Sequence, residues 1–169
     1  PAALRRLRAG DSVWVRPEAE IVRTLDASGC VDGMPFMPEM RRYCGRRFTV
    51  RAVAHKTCDT IEQSGGRSVS DAVHLDDLRC DGHAHGGCEA GCTLFWKLDW
   101  LSLDEPVGTP GTDPAFAERL ASQCTATGSS PEDPTYSCQT TRLLEASRPL
   151  SPYDPRQFVR DVRTGNLSV

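Results

Sequence analysis

The stretch GDSVWVRP, residues 10–17, decides the first element of the fold. Two valines, Val13 and Val15, alternate with a tryptophan and an arginine, which is the period-two pattern of a half-buried β-strand. The glycine and aspartate that precede them indicate a turn. The stretch therefore predicts a first strand that the chain enters from a turn.

Further along the chain, two more stretches predict strands that pair with each other. Phe48 and Val50 alternate with polar residues, and the strand they form is expected to reach Cys58. The turn SGG at residues 64–66 separates it from a second strand around residues 71–75. We expect the two strands to form a hairpin with a long tip.

The stretch TLFWKLDWL, residues 93–101, predicts the closing strand. Leu94 and Trp96 would share one face of this strand, although the spacing of the two tryptophans fits a helix equally well. Short strands, turns and intervening loops are typical of a small five-stranded barrel of SH3 type. The predicted fold is therefore mainly β with peripheral helices: an SH3-like barrel in residues 1–105, with a cysteine-rich insertion at residues 79–92.

Residues 106–169 predict an irregular extension that carries two short helices. After Pro106 the composition turns to Pro, Gly, Thr and Ser, which indicates a linker. The first helix has Asp113 as its cap and Pro114 at its first position. The second repeats this Asp-Pro pattern at Asp154, after a loop rich in Ser and Pro. Both helices are expected to pack on the barrel.

The segment MPFMPEM, residues 34–40, holds all three methionines of the chain. Its two prolines exclude a long helix and a central strand, so it predicts an apolar loop. Methionine side chains fill irregular gaps well, and we expect this loop to pack against an edge of the barrel. The alternative interpretation is a surface that binds a protein partner or an enzyme. Ahead of the loop, Ile21 and Leu25 lie four residues apart and predict a short helical turn.

The segment RCDGHAHGGCEAGC, residues 79–92, holds three of the eight cysteines and two of the four histidines. Zinc and iron-sulfur clusters prefer thiolate and imidazole ligands, and the four glycines let the backbone fold tightly round one centre. A fourth thiol comes from the strand that ends at Cys58, which is expected to pair with the strand leading into this segment. The predicted metal ligands are Cys58, Cys80, Cys88 and Cys92, with His85 able to replace one thiolate.

Zinc held by four thiolates is the predicted occupant, because it would cross-link a strand end to a loop that is too polar to fold alone. The closest cysteine pair, Cys88 and Cys92, has three intervening residues and is not the CxxC pair of zinc ribbons. An iron-sulfur cluster of the 4Fe-4S type tolerates such spacing and is the alternative. A site without metal is the third interpretation.

The remaining cysteines are weighed one by one. Cys124 lies on the apolar stripe of a predicted helix and is expected in the core, and Cys30 is interpreted as a loop thiol. Cys44 and Cys138 each lie close to a tyrosine. We interpret each as a buried structural cysteine, with a fifth ligand or a reactive thiol as the alternatives. The other histidines are expected at hydrogen-bonded or solvent-exposed positions: His55, His74 and His83.

The 169 residues carry no GxSxG elbow, Walker loop, dinucleotide fingerprint or HExxH motif. Catalytic residues are therefore unknown, and whether the chain is an enzyme stays open. A net charge of −3 disfavours nucleic-acid binding. No stretch approaches the ~20 apolar residues of a membrane span, and the first residues lack the apolar core of a signal peptide. We therefore expect a cytoplasmic location with reduced thiols.

Two resemblances add to this interpretation. GDSVWVRP, followed by PEMRRYCGRRFTV, resembles the SH3-type barrel of nitrile hydratase β-subunit-like proteins over roughly residues 9–55. It implies the barrel only, since the cysteine claw of the catalytic subunit is absent from this chain. The blocks FMPEMRRYCG, HKTCDT, DAVHLDDLRCDG, HGGCEAGC, FWK and YSCQ resemble a family of small bacterial cysteine-rich proteins without an assigned activity. This second resemblance covers most of the chain and implies that it is one unit.

Three functions follow as hypotheses. The first is a metal-binding accessory or binding protein whose zinc site is mainly structural and whose apolar loop contacts the partner. The second is a small iron-sulfur protein for electron transfer or sulfur chemistry. The third is a metalloenzyme that keeps an open metal position beside His85 or a nearby aspartate.

Overall fold

The structure of the chain is a computed structural model that describes residues 3–107, 113–125, 130 and 136–167. The described strands are β1 (Ser12–Val15), β2 (Cys30–Val31), β3 (Met34–Pro35), β4 (Arg47–Val53), β5 (Lys56–Asp59), β6 (Gly65–Val69), β7 (Ala72–Leu75), β8 (Trp96–Lys97), β9 (Leu101–Ser102) and β10 (Ser147–Pro149). The described α-helices are α1 (Glu18–Val22), α2 (Pro114–Gln123) and α3 (Arg156–Arg163), and short 3-10 turns cover Leu4–Arg6, Pro38–Tyr43 and Leu98–Trp100. The prediction of a mainly β fold with peripheral helices is confirmed.

The larger sheet has five strands in the order β8-β7-β4-β1-β9, all antiparallel. The first predicted strand is confirmed as β1, and it pairs with β4 on one side and β9 on the other. The predicted closing strand at residues 93–101 is wrong in one respect, because the 3-10 turn Leu98–Trp100 divides it into β8 and β9. These two short strands lie at opposite edges of the sheet, so a single segment spans from one edge to the other.

The predicted hairpin forms, but its first strand does not run unbroken to Cys58. It stops at Val53, resumes at Lys56, and continues as β5, which pairs with β6 in a separate three-stranded sheet completed by β10. At the break, the ring of His55 is buried, and its Nε2 lies 2.8 Å from Asp161 Oδ1. As a result Cys58 faces Gly66 across the hairpin tip instead of the strand that carries His74.

The apolar loop MPFMPEM is part of the core. Met34, Met37 and Met40 are each at most 2% exposed. Phe36 contacts Trp100 edge-to-face, with ring centroids 5.2 Å apart. The alternative interpretation of this loop as a surface for a partner is therefore wrong, because its apolar side chains are already buried.

The C-terminal part packs on the rest of the chain: Phe116 and Leu120 of α2 belong to the hydrophobic core, and β10 pairs with β6. Helix α2 begins at Pro114 as predicted, and Asp113 Oδ1 accepts a hydrogen bond from the Ala115 amide at 3.0 Å. The predicted linker at residues 106–112 and the predicted loop at residues 125–135 lie mostly outside the described residues. None of the described helices is long and apolar enough to cross a membrane.

Helix α3 begins one residue after the predicted Pro155, and Asp154 Oδ1 accepts a hydrogen bond from the Arg156 amide at 3.0 Å. Asn166, just beyond the helix, accepts from the Val53 amide at 2.8 Å and donates to the Val53 carbonyl at 2.9 Å. These two bonds hold the segment after α3 against the C-terminal end of β4.

Candidate metal centre

A cavity of about 360 Å³ lies where three loops meet, and Thr60 and Ile61 from the tip of the β5–β6 hairpin also line it. One of the three loops is the 3-10 turn Pro38–Tyr43 with the preceding Met37, which we call the MPEM turn. The second is the cysteine loop, residues 79–93, and the third is the YSCQ segment, residues 136–139. The walls of this cavity are mainly apolar. Four thiols, an imidazole and a carboxyl group also line it: Cys80, Cys88, Cys92, Cys138, His85 and Glu39.

Backbone pairing at its base closes the cysteine loop. Arg79 and Thr93 form an antiparallel bridge, and the Cys80 amide donates to the Cys92 carbonyl at 2.8 Å. The Leu94 amide donates to the Leu78 carbonyl at 3.3 Å and continues the pairing below the bridge. The first and last cysteines of the loop are therefore backbone neighbours, although eleven residues separate them in the sequence.

Inside the loop, Gly82 organises a tight turn. Its carbonyl accepts hydrogen bonds from the amides of His85 at 3.1 Å and Gly87 at 3.0 Å. Gly82 has a φ of +72°, and an added Cβ would lie 2.0 Å from the Cys88 carbonyl oxygen, so only glycine fits here. This turn directs His85 inward, where it is 6% exposed and its Nε2 lies 3.3 Å from Cys80 Sγ.

The YSCQ segment reaches the cavity because Gln139 is anchored in the core. The buried Gln139 side chain accepts from the Phe95 amide at 2.8 Å and donates to the Phe95 carbonyl at 2.9 Å. It also donates to the Pro35 carbonyl at 3.0 Å. One side chain therefore ties three distant parts of the chain together, and it places the adjacent Cys138 on the cavity wall.

Glu39 contributes a buried carboxyl group to the same place. The residue is 8% exposed, and neither side-chain oxygen forms a well-aligned hydrogen bond with a described residue, although the Cys80 thiol is a candidate donor. The Nδ1 atom of His85 is likewise buried without a described partner. Buried polar atoms of this kind are costly unless a proton donor or a cation satisfies them, by roughly 1–3 kcal/mol each.

The electrostatics of the cavity favour a neutral Cys80 thiol in the absence of a cation. Burial raises the pKa of Cys80 to about 12, a hydrogen bond from the Gly82 backbone acts in the opposite direction, and Glu39 adds to the increase through its charge and its contact with the thiol. A cation that binds here would satisfy the carboxylate and displace the thiol proton.

The structure brings together four of the five predicted ligands around this cavity: Cys80, His85, Cys88 and Cys92. Cys58 is exposed on β5 and lies outside the described lining of the cavity. In the described parts of the chain, no three or more Cys, His, Asp or Glu side chains are arranged so that they could hold a metal ion as they stand.

Sequence reasoning interpreted Cys138 as a buried structural cysteine, with a fifth ligand or a reactive thiol as alternatives, whereas the structure leaves it half-buried on the cavity wall. Glu39 was not considered. Glu39 could have been identified from the sequence as a candidate site residue, because it is an acidic residue within an apolar segment. The structure shows that this segment is buried. The sequence gives less indication for Cys138, because its position depends on the neighbouring Gln139, whose side chain is bonded to Phe95.

The other thiols lie elsewhere. Cys124 is buried in the core as predicted, and Cys44 is buried as well. Burial raises the pKa of each of these two thiols to about 12. Cys30 is only 1% exposed in β2, so its interpretation as a loop thiol is wrong.

The remaining histidines occupy the expected kinds of position. The side chain of His83 is 93% exposed. His74 Nδ1 lies 2.9 Å from the Leu94 carbonyl, and its ring packs against Phe95 at a centroid distance of 4.6 Å. His55 is hydrogen-bonded to Asp161. None of these three rings is among the described residues that line the cavity.

Comparison with known proteins gives no relative from which a function could be transferred. No family model matches the chain, and no curated protein or solved structure matches it either. The functional argument therefore depends on the cavity itself.

Proposed function

We propose that this chain is a zinc-binding protein whose metal centre lies in the cavity between the MPEM turn, the cysteine loop and the YSCQ segment. The observation that carries the proposal is the meeting of four thiols, one imidazole and one buried carboxyl group at a single cavity. Thiolate and imidazole are the ligands of structural zinc sites. A dication would also satisfy the two Glu39 oxygens, which form no well-aligned hydrogen bond with a described residue.

The innermost ligands of the proposed centre are Cys80, His85 and Cys138. Cys80 and His85 are already in contact, at 3.3 Å between sulfur and nitrogen. Cys80 and Cys138 both pack against the hydrophobic core, which holds their backbones in place. Cys138 takes the position in the ligand set that the sequence pattern had given to Cys58.

Zinc binding requires the donor side chains to move closer together than they now stand. Without a cation between them these side chains gain little by converging, whereas a zinc ion needs sulfur at about 2.3 Å and nitrogen at about 2.0 Å. The glycine-rich cysteine loop permits this movement. Binding would then connect three loops through one ion, and part of the binding free energy would stabilise the fold.

We also propose an SH3-like barrel as the architecture of the chain and the cytoplasm as its location. The order β8-β7-β4-β1-β9 supports an SH3-like barrel, as does the 3-10 turn that carries the chain between its two edge strands. The resemblance to nitrile hydratase β-subunit-like proteins agrees with that barrel. A cytoplasmic location is part of the proposal, because reduced thiols are needed for metal binding. An accessory role would need a partner surface other than the buried apolar loop.

The test is anaerobic purification of the full chain, followed by metal analysis and a visible spectrum. We expect a colourless protein with one zinc per chain. Bound iron with absorption from thiolate-to-iron charge transfer would overturn the zinc proposal in favour of an iron-sulfur protein. Failure to retain zinc after reconstitution under reducing conditions would overturn metal binding altogether.

A further inference from the structure

Helix α3 packs on the rest of the chain through a polar side chain. Asp161 is 2% exposed, and its Oδ1 lies 2.8 Å from His55 Nε2. The apolar side chains of the same helix are exposed instead, by 42–54%: Phe158, Val159 and Val162. An amphipathic helix on a protein surface usually buries its apolar stripe against the core. Helix α3 does the opposite, and its apolar stripe is turned toward the solvent.

The exposed apolar side chains of the chain are concentrated in this one segment. The described residues expose nine large hydrophobic side chains, and five of these lie within residues 153–167. In addition to the three on the helix, they are Tyr153 before its start and Leu167 beyond its end. Apolar side chains that are exposed singly need no explanation, whereas a group of them marks an interaction surface. We call residues 153–167 the α3 surface.

A row of arginines runs beside the apolar stripe. Arg156, Arg160 and Arg163 are exposed, and their i, i+4, i+7 spacing places them in one row along the helix. At about 100° per residue, this row occupies the arc next to that of the apolar side chains. Arg156 also forms an ion pair with Asp154. The α3 surface is therefore both apolar and cationic.

The N-terminal segment brings further arginines to the same end of the helix. The Ala9 amide donates a hydrogen bond to the Thr164 carbonyl at 2.8 Å. This bond places the segment that carries the exposed Arg6 and Arg8 beside the C-terminal end of α3. The positive charge of the α3 surface thus comes from two parts of the chain.

An apolar stripe beside a row of arginines fits the surface of an anionic membrane. A helix that lies in the plane of such a surface buries its apolar side among the lipid headgroups, and its cationic side chains bind the anionic lipids. The guanidinium group suits this role, since it binds phosphate through two parallel hydrogen bonds. A helix in this position does not need the length of a membrane span.

A second copy of the chain fits the α3 surface less well. Two such surfaces packed against each other would bring their arginine rows together, and like charges in contact are unfavourable. The anionic lipid leaflet of a cell membrane faces the cytoplasm, which agrees with the proposed location of the chain.

We infer that the α3 surface binds the anionic surface of a phospholipid membrane. The side chains of Phe158, Val159 and Val162 enter the headgroup region, and Arg160 and Arg163 bind the lipid phosphates. The inference goes beyond the proposed metal centre and does not depend on it, because the described lining of the cavity includes no residue of the α3 surface.

Cosedimentation of the full, reduced chain with lipid vesicles tests this inference. One set of vesicles contains phosphatidylserine in phosphatidylcholine, and the other contains phosphatidylcholine alone. We expect binding to the anionic vesicles to be tighter by at least about tenfold, because each arginine near the surface contributes about fivefold. High salt should weaken this binding, since it screens the charges.

Matched variants locate the contact on the chain. Phe158→Ser should weaken binding to the anionic vesicles by about fivefold or more, because it removes the largest apolar group of the helix. Leu103→Ser, at an exposed apolar position outside the α3 surface, should leave binding unchanged. Arg160→Gln and Arg163→Gln should each weaken it by about fivefold. Arg47→Gln, at an exposed position on β4, should have little effect.

A second apolar variant guards against a change in the fold. Lys56 Nζ lies 5.1 Å from the centre of the Phe158 ring, so Phe158→Ser also removes a contact within the chain. Val159→Ser removes an apolar group that is 50% exposed, and it should weaken vesicle binding in the same direction. Denaturant unfolding of each variant shows whether the fold is retained.

Three results would overturn the inference. Absence of binding to the anionic vesicles would exclude a membrane, and the α3 surface would then fit a protein partner. Equal binding to both kinds of vesicle would show that anionic lipid is not recognised. Unchanged binding by Phe158→Ser and Val159→Ser would place the contact elsewhere on the chain. The metal centre stands or fails separately, through the zinc content of the purified chain.

Discussion

At the scale of single residues, the structure places two of the candidate thiols differently from what the sequence pattern predicts. The pattern favoured Cys58 because a strand was expected to carry it toward Cys80. The strand breaks before that point, and Cys58 is exposed opposite Gly66. Cys138 lies on the cavity wall instead, held by its neighbour Gln139.

This difference predicts the outcome of a matched pair of substitutions. Cys138→Ser should weaken zinc binding by about 100-fold or more, because even residues that only support a ligand contribute about 10- to 100-fold. Cys58→Ser should leave the affinity unchanged. Competition with a chromophoric chelator measures both. A larger loss for Cys58→Ser than for Cys138→Ser would return Cys58 to the ligand set.

At the scale of elements, the cysteine loop contacts the YSCQ segment at Gly86, where an added side-chain atom would meet the Tyr136 ring. Gly86 has a φ of +73°, and a Cβ added to it would lie 2.7 Å from the Tyr136 ring. Gly87 has the same φ of +73°, yet a Cβ added there would meet no atom within 4 Å. The two glycines therefore share their backbone requirement and differ only in what surrounds them.

Alanine substitutions at Gly86 and Gly87 distinguish the effect of the contact with Tyr136 from the effect of backbone strain. Both substitutions carry the cost of a left-handed residue, about 1–2 kcal/mol. Gly86→Ala adds a clash with Tyr136, and it should lower the free energy of unfolding and the zinc affinity further than Gly87→Ala does. Denaturant unfolding and zinc titration measure the difference. Equal losses in both variants would show that the loop does not depend on this contact.

A second element, helix α3, is held by a buried acid and base. Asp161 lies against His55 and forms an ion pair with Lys56. Burial is the largest influence on His55 and lowers its pKa, despite the hydrogen bond to Asp161. Burial alone would raise the pKa of Asp161, but hydrogen bonds from Lys56 and His55 outweigh it and leave that pKa below its ordinary value.

The sign of the pH dependence follows from these directions. Below the ordinary histidine pKa of about 6.5, the unfolded chain binds a proton that the folded His55 does not, so stability falls as the pH decreases. The carboxyl contribution is lost only below about pH 4. Hydrogen exchange should show a falling protection factor for the Val53 amide, which donates to Asn166, between about pH 7 and pH 5.

The Val15 amide serves as the control for this measurement, since it donates to the Arg46 carbonyl within the five-stranded sheet. Its protection factor should fall less than that of Val53. A constant protection factor for Val53 over the same pH range would contradict the assignment of His55 as the group that titrates.

At the scale of the whole molecule, the elements that could be predicted from the sequence are those that depend on residues close together in the chain. Strand β1 follows from the alternation of Val13 and Val15, and helix α2 follows from its Asp-Pro start. The features that sequence reasoning missed depend on distant contacts. The chain breaks at His55, which meets Asp161 106 residues away, and Gln139 anchors Cys138 to Phe95 across 44 residues. No local pattern encodes such partners.

Zinc should stabilise the whole chain if it connects three loops. A free zinc concentration 100 times the Kd adds about 2.7 kcal/mol to the free energy of unfolding. For a chain of this size that corresponds to an increase in Tm of roughly 5–10 °C. Scanning calorimetry with zinc, and again after a chelator is added, measures this shift. An unchanged Tm would mean that the ion does not bind the folded chain preferentially.

X-ray absorption at the zinc edge of the reconstituted full chain tests the central claim most directly, because it reports the ligands of the ion. The account predicts a mixed sphere, with sulfur at about 2.3 Å from the cysteines and nitrogen at about 2.0 Å from His85. Substitution of Cys80 by serine should reduce the sulfur contribution. A zinc ion bound only by nitrogen and oxygen, or no bound zinc at all, would contradict the account.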